Sequence, residues 1–445
     1  MTGDPAPEPL AKACSDVREA WPDDAVAGAQ PRFVASPADT GEAAAVLRAA
    51  AAEGMTTVPR GGGTRLAWGS PPVSCDLVID TRRMNRVLEH AAGDQVVRVQ
   101  AGVGLDQLAG LLARAGQRLA LDPAPGAAPA AGGGGGGGGG TAPGTVGGLV
   151  ATGVAGPLRL RYGTPRDLTI GMTVVRADGT VASSGGKVVK NVAGYDLGKL
   201  FAGSYGTLGL IAEAAFRLHP LPGAASFVTL DRADAAAAHA AIAAAAGSPL
   251  APSAAEIDRP SLRAPFRVGV LLEGDPDGVA ERAARMTELL GGPAASVSPA
   301  PPAWWGRGAA AAAPGTVIRI AFWAAELTRV LAAIDAEAAA AGLDPAVSGS
   351  AAAGVIHAAV DESAAPAAVA EFVLALRAAV AAPPPGPSAD GPPARASVVV
   401  LHAPADVCTA LDPWGPVPGL GLMRAVKDQF DPEHRMAPGR FAGGI

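Results

Sequence analysis

The 445-residue sequence has three cysteines, Cys14, Cys75 and Cys408, far apart from one another. An odd, scattered set makes a poor disulfide framework. No Cys-x-x-Cys pair supplies the spacing for structural zinc or an iron–sulfur cluster. That usage fits a reduced, cytoplasmic compartment. Histidine is also scarce, six in all. No His-Glu-x-x-His or other close ligand pair occurs, so no metal is expected. Basic charge is not concentrated anywhere: the net charge is −6, and no long basic block offers a surface for nucleic acid. A small anionic ligand needs only local positive charge and stays open. The opening "MTGDPAPEPL" has neither a basic n-region nor an apolar h-region, so no signal peptide is expected. Long apolar runs are missing too. The candidates are alanine stretches broken by Pro, Gly or charge, and no direct membrane insertion is expected.

What the sequence has in excess is alanine, glycine and proline, with 59 Gly and 41 Pro. Residues 1–28 read as a loosely held leader. From 29 to 222 strand-like and helical patterns alternate. Asp39 and Thr40 can cap a helix over 41–53, with Gly54 closing it. Residues 76–80 and 94–102 are β-rich. Leu105, Leu108 and Leu112 share one face of a short helix over 104–115. "DLTIGMTVVRADGTVASSGG" predicts a hairpin turning at Asp178-Gly179. From 223 to 410 strand-like runs ("SFVTL", "FRVGVLLEG", "TVIRIAFW", "GVIHAAV", "SVVVLHA") are separated mostly by helical stretches. The clearest helix, 365–381, aligns Val369, Phe372, Val373, Leu376 and Val380 in one stripe. This half predicts an α+β unit, an antiparallel sheet with helices on one face. The proline-rich 381–396 reads as a loop within it. The tail 411–445 reads as a helix followed by an ordered, proline-punctuated end.

Three glycine motifs compete. The run Gly132 to Gly140 satisfies Gly-x-Gly-x-x-Gly in several registers. It lacks the strand before and the helix after, so 123–144 reads as a low-complexity loop. "GTVASSGGKVVK" is similar to a P-loop, but the spacing fails, and Val188 stands where Ser or Thr must bind magnesium. "VPRGGGTRLAWG", residues 58–69, is different. Pro59 fixes a strand exit. Gly61, Gly62 and Gly63 allow successive N–H groups to converge on an anion. Thr64 adds a hydroxyl, and Arg60 and Arg65 add charge. That combination suits a diphosphate.

With "TVGGLVATGVAGPLRLRYGTPRDLTIGMTVVRADG" (145–179), "KVVKNVAGYDLGKLFAGSYGTLGLI" (187–211) and the closing "KDQFDPEHRMAPGR", the series resembles the FAD-binding oxidoreductases of the vanillyl-alcohol oxidase/PCMH type. Within that family it looks most like the E-type FAD-binding subunits of bacterial glycolate oxidase. The resemblance implies an α+β chain: a PCMH-type FAD-binding domain of two α/β subdomains over 29–222, the cap over 223–410, and 411–445 returning to the flavin domain. Arg60, Gly61, Gly62, Gly63 and Thr64 would form the pyrophosphate loop. Thr145, Val146, Gly147, Gly148, Thr152, Gly153 and Gly156 would form a second wall, with Gly206 and Ile211 near the adenosine end. Arg161, Tyr162, Gly163, Asp167 and Asn191 to Asp196 match positions that shape the floor, Tyr195 and Asp196 as braces. Some members attach flavin through His or Cys near the glycine loop. Residues 59–70 hold neither, so non-covalent FAD is expected.

The family's D-type enzymes carry a cap motif His-x-Gly-Asp-Gly-Asn-x-His. Here "SGSAAAGVIHAAV" keeps only His357, and Ser350 stands at the first histidine position. His357 and His402, each ending a β-rich run, are the candidate bases. The resemblance implies a 2-hydroxy acid of the glycolate or D-lactate kind, with hydride passing from substrate carbon to flavin N5. Alternatively, the chain is an accessory flavoprotein of a complex with a D-type flavin subunit and an iron–sulfur subunit. Such a complex would be cytoplasmic, reaching the membrane only through its partners.

Overall fold

The computed structural model describes residues 8–123, 144–186, 196–307, 315–382 and 396–445. The glycine run, residues 187–195 and the proline-rich 383–395 lie outside the described residues.

The first unit is a four-stranded sheet built from β1 (Val17–Glu19), β2 (Phe33–Ala35), β3 (Thr57–Arg60) and β4 (Leu77–Asp80), in the order β1-β2-β4-β3. β2 and β3 flank β4 in parallel. Helix α1 (Glu8–Ala13) and helix α2 (Thr40–Ala52) cover it. Asp39 caps α2 by accepting from the Glu42 amide at 3.0 Å. The expected loose leader is corrected from Glu8 onward. Leu10 and Cys14 are buried with Phe33, Leu47 and Leu77, and β1 pairs with β2. Its apolar anchors are too few and too widely spaced to show as a period.

The second unit is a five-stranded antiparallel sheet of β5 (Val87–Ala91), β6 (Val96–Gln100), β8 (Thr169–Val175), β9 (Val181–Gly185) and β10 (Leu210–Arg217), ordered β5-β6-β10-β8-β9. The short pair β7 (Gln117–Arg118) and β11 (His219–Pro220) lies beside it. The predicted hairpin is present: β8 pairs with β9, and Gly179 turns between them at φ 78°. Helices α3 (Leu105–Ala113), α4 (Val146–Thr152), α5 (Arg159–Tyr162), α6 (Pro165–Leu168) and α7 (Gly198–Phe201) complete the unit. Leu108, Leu112, Val146, Val150, Phe201 and Phe216 share its core.

The cap is an eight-stranded antiparallel sheet: β12 (Ala224–Arg232), β13 (Ala254–Arg259), β14 (Phe266–Gly274), β15 (Ser296–Ser298), β16 (Thr316–Phe322), β17 (Ala346–Ser350), β18 (Val355–Val360) and β19 (Ala396–His402). The order is β15-β12-β14-β13-β17-β18-β16-β19. Helices α8 (Ala235–Ala246), α9 (Pro276–Leu290), α10 (Leu327–Ala340), α11 (Pro366–Ala381) and α12 (Ala405–Ala410) belong to it. One sheet face, with Val228, Ile257, Val268, Ile318, Ile356 and Val400, packs on helices in a single core. The stripe of α11 is buried there as its spacing predicts. The opposite face turns toward the second unit and the C-terminal tail. Phe227 and Leu271 meet Leu158 on that side, and Val317, Val399 and Leu401 meet Trp414.

The chain ends with α13 (Leu420–Phe430) and a tail that returns to the first unit. There Thr57 exchanges backbone hydrogen bonds with Arg435 and Ala437, 2.8 Å each. Among the described residues no helix is long and apolar enough to cross a membrane.

Candidate functional site

β3 delivers the chain into the Gly61–Thr64 loop, and the start of α4 faces it. A Cβ on Gly61 would collide with Thr145 Oγ1, so the two walls touch where only a bare backbone fits. Gly63 has a left-handed backbone, φ 75°, with open space where a Cβ would stand. Gly62 is half-buried between them. The Thr64 hydroxyl and the Arg65 guanidinium lie alongside Gly144 on the opposing wall.

Arg60 is placed differently from expectation. Its guanidinium turns away from the loop and pairs with Asp24 at 2.8 Å and Asp80 at 2.9 Å, with the side chain 10% exposed. A strand alternates its side chains, and β4 places Asp80 beside Arg60 in parallel register. Arg60 therefore braces the loop, and positive charge comes from Arg65. Arg440 supports the far side by donating to Leu66 O (2.6 Å) and Trp68 O (2.7 Å). Burial pulls Arg440 down to about 10, which leaves it charged near neutral pH.

The second wall is mostly structural. Thr145 caps α4, accepting from the Gly148 amide at 3.3 Å. The amides of Val146 and Gly147 are spent on Val103 O and Ala101 O. Thr152 donates to Gly148 O at 2.7 Å, and Gly153 closes the helix in a left-handed conformation. A Cβ on Gly156 would strike Asp122 O, and one on Gly206 would stand 3.3 Å from the Pro59 ring. The Ile211 side chain is buried in the core of the second unit. Asp167 caps α6, accepting from the Thr164 amide and hydroxyl. Asp196 pairs with Lys199 at 3.1 Å.

The cap sheet contributes a polar row that the composition hides. Arg319 on β16 stands opposite His357 on β18. His357 stands opposite Ser348 on β17, Ser348 opposite Asp258 on β13, and Asp258 opposite Arg267 on β14. Opposed residues share a face, here the one toward the second unit. Asp258 and Arg267 form an ion pair. Glu256, two residues along β13, is 4% exposed, and α5 packs on this strand. Glu256 and Arg319 are within electrostatic reach of Arg159 on α5. No hydrogen bond or ion pair joins Arg159 or Arg319 to any described residue. His357 bonds to the Ser348 backbone, while its Nδ1 is buried without a partner. Burial, with Arg159 and Arg319 nearby, pushes His357 down to about 3. Burial pushes Glu256 up to about 8 against a hydrogen bond from Ser350. On the flavin side Tyr205 has a left-handed backbone, φ 56°. Its ring packs on Trp414, and its phenol is in reach of Arg319, Arg440 and Arg65.

The two candidate bases are not brought together. His402 pairs in register with Val317, two residues along β16 from Arg319, and its Nδ1 bonds Gly315 O at 2.9 Å. His402 secures a strand end. Arg159, Arg319, Glu256 and Tyr205 were not singled out in the sequence. The available signal was an arginine inside the apolar run of β16 and a glutamate inside β13, both expensive to bury without a purpose. Among the described residues no group of three His, Cys, Asp or Glu side chains could hold a metal.

Residues 31–185 match the family described as FAD binding domain. An FAD-linked oxidoreductase of Mycobacterium tuberculosis is 33% identical over 282 residues, 63% of this chain and 56% of that protein. A D-lactate dehydrogenase of Archaeoglobus fulgidus is 38% identical over 187 residues, 42% of this chain and 38% of that one. Glycolate oxidase subunit GlcD of Bacillus subtilis is 35% identical over 193 residues, 43% and 38%. The aligned part thus spans between 38% and 56% of these curated relatives' own length. Among solved structures, p-cresol methylhydroxylase superposes with TM-score 0.69 at 15% identity, covering 97% of this chain and 95% of that one, a likeness of fold alone.

Proposed function

From a chain whose residues 31–185 match the FAD binding domain family, we propose an oxidoreductase that takes two electrons from a small 2-hydroxy acid of the glycolate or D-lactate kind. The observation that carries this reading is Arg159 and Arg319, guanidiniums without hydrogen-bond or ion-pair partners among the described residues, both in reach of a half-buried His357 whose Nδ1 has no partner there either.

FAD fits the residues present. The Gly61–Gly63 amides form a bare cradle, Thr64 and Arg65 add a hydroxyl and a cation, and Gly144 lets the opposing wall come close. Held there, FAD would supply a two-electron acceptor for the hydride of the substrate's carbinol carbon. The chain's residues do the rest. The two arginines fix the carboxylate. His357, neutral and with Nδ1 open, takes the hydroxyl proton. Charge neutralisation at the arginines removes part of what holds His357 low, so the bound carboxylate itself raises the basicity of the imidazole. The cap sheet covers the site and keeps water out.

Non-covalent flavin belongs to this proposal. Cys75, the cysteine nearest the glycine loop in sequence, is buried, and its thiol is pushed up to about 12. Acid precipitation should leave a yellow supernatant and a colourless pellet.

The departure from the family's cap motif at Ser350 favours a second reading. In it the chain is an accessory flavin subunit of a cytoplasmic complex, and oxidation occurs in a D-type partner beside an iron–sulfur subunit. Anaerobic addition of glycolate or D-lactate separates the two. Bleaching of the flavin band near ~450 nm in the isolated chain supports the first reading. Bleaching only with the D-type partner present supports the second. No bleaching in either case overturns both.

A further inference from the structure

We propose that the boundary between α5 and the cap sheet is built for a dianion: a 2-hydroxy acid carrying a second anionic group, carboxylate or phosphate, held between Arg159 of the flavin domain and Arg319 of the cap sheet. The hydroxy-acid part rests on the function proposed above; the charge requirement does not.

The argument is a charge count. Other part-buried guanidiniums of the interior are answered. Arg60 has Asp24 and Asp80, Arg118 has Glu273, and Arg267 has Asp258. Arg377 and Arg440 donate to main-chain carbonyls. Arg159 and Arg319 have neither kind of partner among the described residues, and Arg159 Nε is buried and unbonded. Two carboxyls are near enough to matter, and neither offsets them. Glu256 is 4% exposed, with Ser350 as its side-chain partner and Oε1 unbonded. Asp122 is turned to the Leu158 amide at 3.0 and 3.2 Å. Burial raises both groups, to about 8 and about 7, which discharges Glu256 and weakens Asp122 near neutral pH.

His357 adds no positive charge. The boundary between α5 and the cap sheet therefore presents two part-buried cations, and a charge taken out of water is costly until it is paired. A monocarboxylate, even when both arginines hold it, brings one negative charge against two. Because the arginines come from different units, a ligand with two anionic groups also ties the cap to the flavin domain.

The test uses the flavin-loaded full-length chain. Calorimetry at constant ionic strength compares malonate and glutarate with acetate, and inorganic phosphate as a separate arm. Dicarboxylates are expected to bind at least about tenfold more tightly than acetate. R159Q and R319Q should each reduce that advantage to near unity while keeping a full flavin complement, which also reports folding. Tight phosphate with weak malonate keeps the proposal and makes the second group a phosphate. Malonate, glutarate and phosphate all binding no more tightly than acetate overturns it. So does flavin loss in both variants, since the arginines would then serve the cofactor.

Anaerobic bleaching with tartronate, D-2-hydroxyglutarate and glycolate tests the oxidation separately. Dianion binding without bleaching by any of them leaves this inference standing and removes the hydroxy-acid oxidation. Bleaching by glycolate at concentrations as low as for the diacids does the reverse.

Discussion

Glu256 and His357 share a face of the cap sheet, yet burial moves them in opposite directions. Glu256 is raised from 4.5 to about 8, so the folded protein keeps a proton that the unfolded chain has lost. Its contribution is fully present below pH 4.5 and lost as pH rises toward 8. E256Q has no such proton. Relative to the wild type it should gain stability on going from pH 5 to pH 9, on the order of a few kcal/mol. Thermal melts at the two pH values check this, and parallel shifts in both proteins would contradict it. His357 is lowered from 6.5 to about 3, so the unfolded chain binds the proton first. Stability present above pH 6.5 is lost as pH falls toward 3. H357Q should therefore melt higher than the wild type at pH 4, while kcat at neutral pH drops by roughly 10²–10⁴. His357 was legible as a candidate because it falls at the last histidine position of the family's cap motif; it does not end its strand, since β18 continues to Val360. Its cationic neighbours were not, since Arg159 lies 160 to 198 positions away from the other two and on another unit.

The Gly61–Thr64 loop depends on contact between β3 and α4. G61A places a methyl against Thr145 Oγ1 and should separate the two walls. The expected result is protein purified with little flavin, read as the ratio of flavin to protein absorbance; a full complement would count against the cradle. R60A should instead lower stability more than it weakens flavin binding, because Arg60 pairs with Asp24 and Asp80. The glycines were readable in the sequence because a loop of bare backbone needs that residue type. The aim of Arg60 was not, because side-chain alternation becomes visible only once β4 is known to lie beside β3. Similarly, β13 and β17 escaped notice. Their exposed-looking Glu, Asp and Ser residues lie on the face that another unit covers.

Two ties hold the molecule together. Lys427 and Asp431 are fully buried and 2.6 Å apart. Lys427 Nζ also donates to Thr207 O and Met436 O, fastening α13 and the tail to the flavin domain. K427M leaves Asp431 buried without its countercharge, at a cost of about 3–5 kcal/mol. A lowered melting temperature with faster hydrogen exchange around Thr207 should follow. Between domains, Arg118 on β7 grips Glu273 on β14 with two hydrogen bonds of 2.7 and 2.8 Å. Local signals determined much by themselves: glycine spacing marked the cofactor loop, and alternation and helical period marked most strands and helices. These follow from chemistry within a few residues of chain. Only the tertiary structure decided which charges remain unpaired, because pairing depends on neighbours from distant segments. Arg60 is neutralised by Asp24 and Asp80, whereas Arg159 and Arg319 lie within electrostatic reach across a domain boundary, with no ion-pair partner among the described residues.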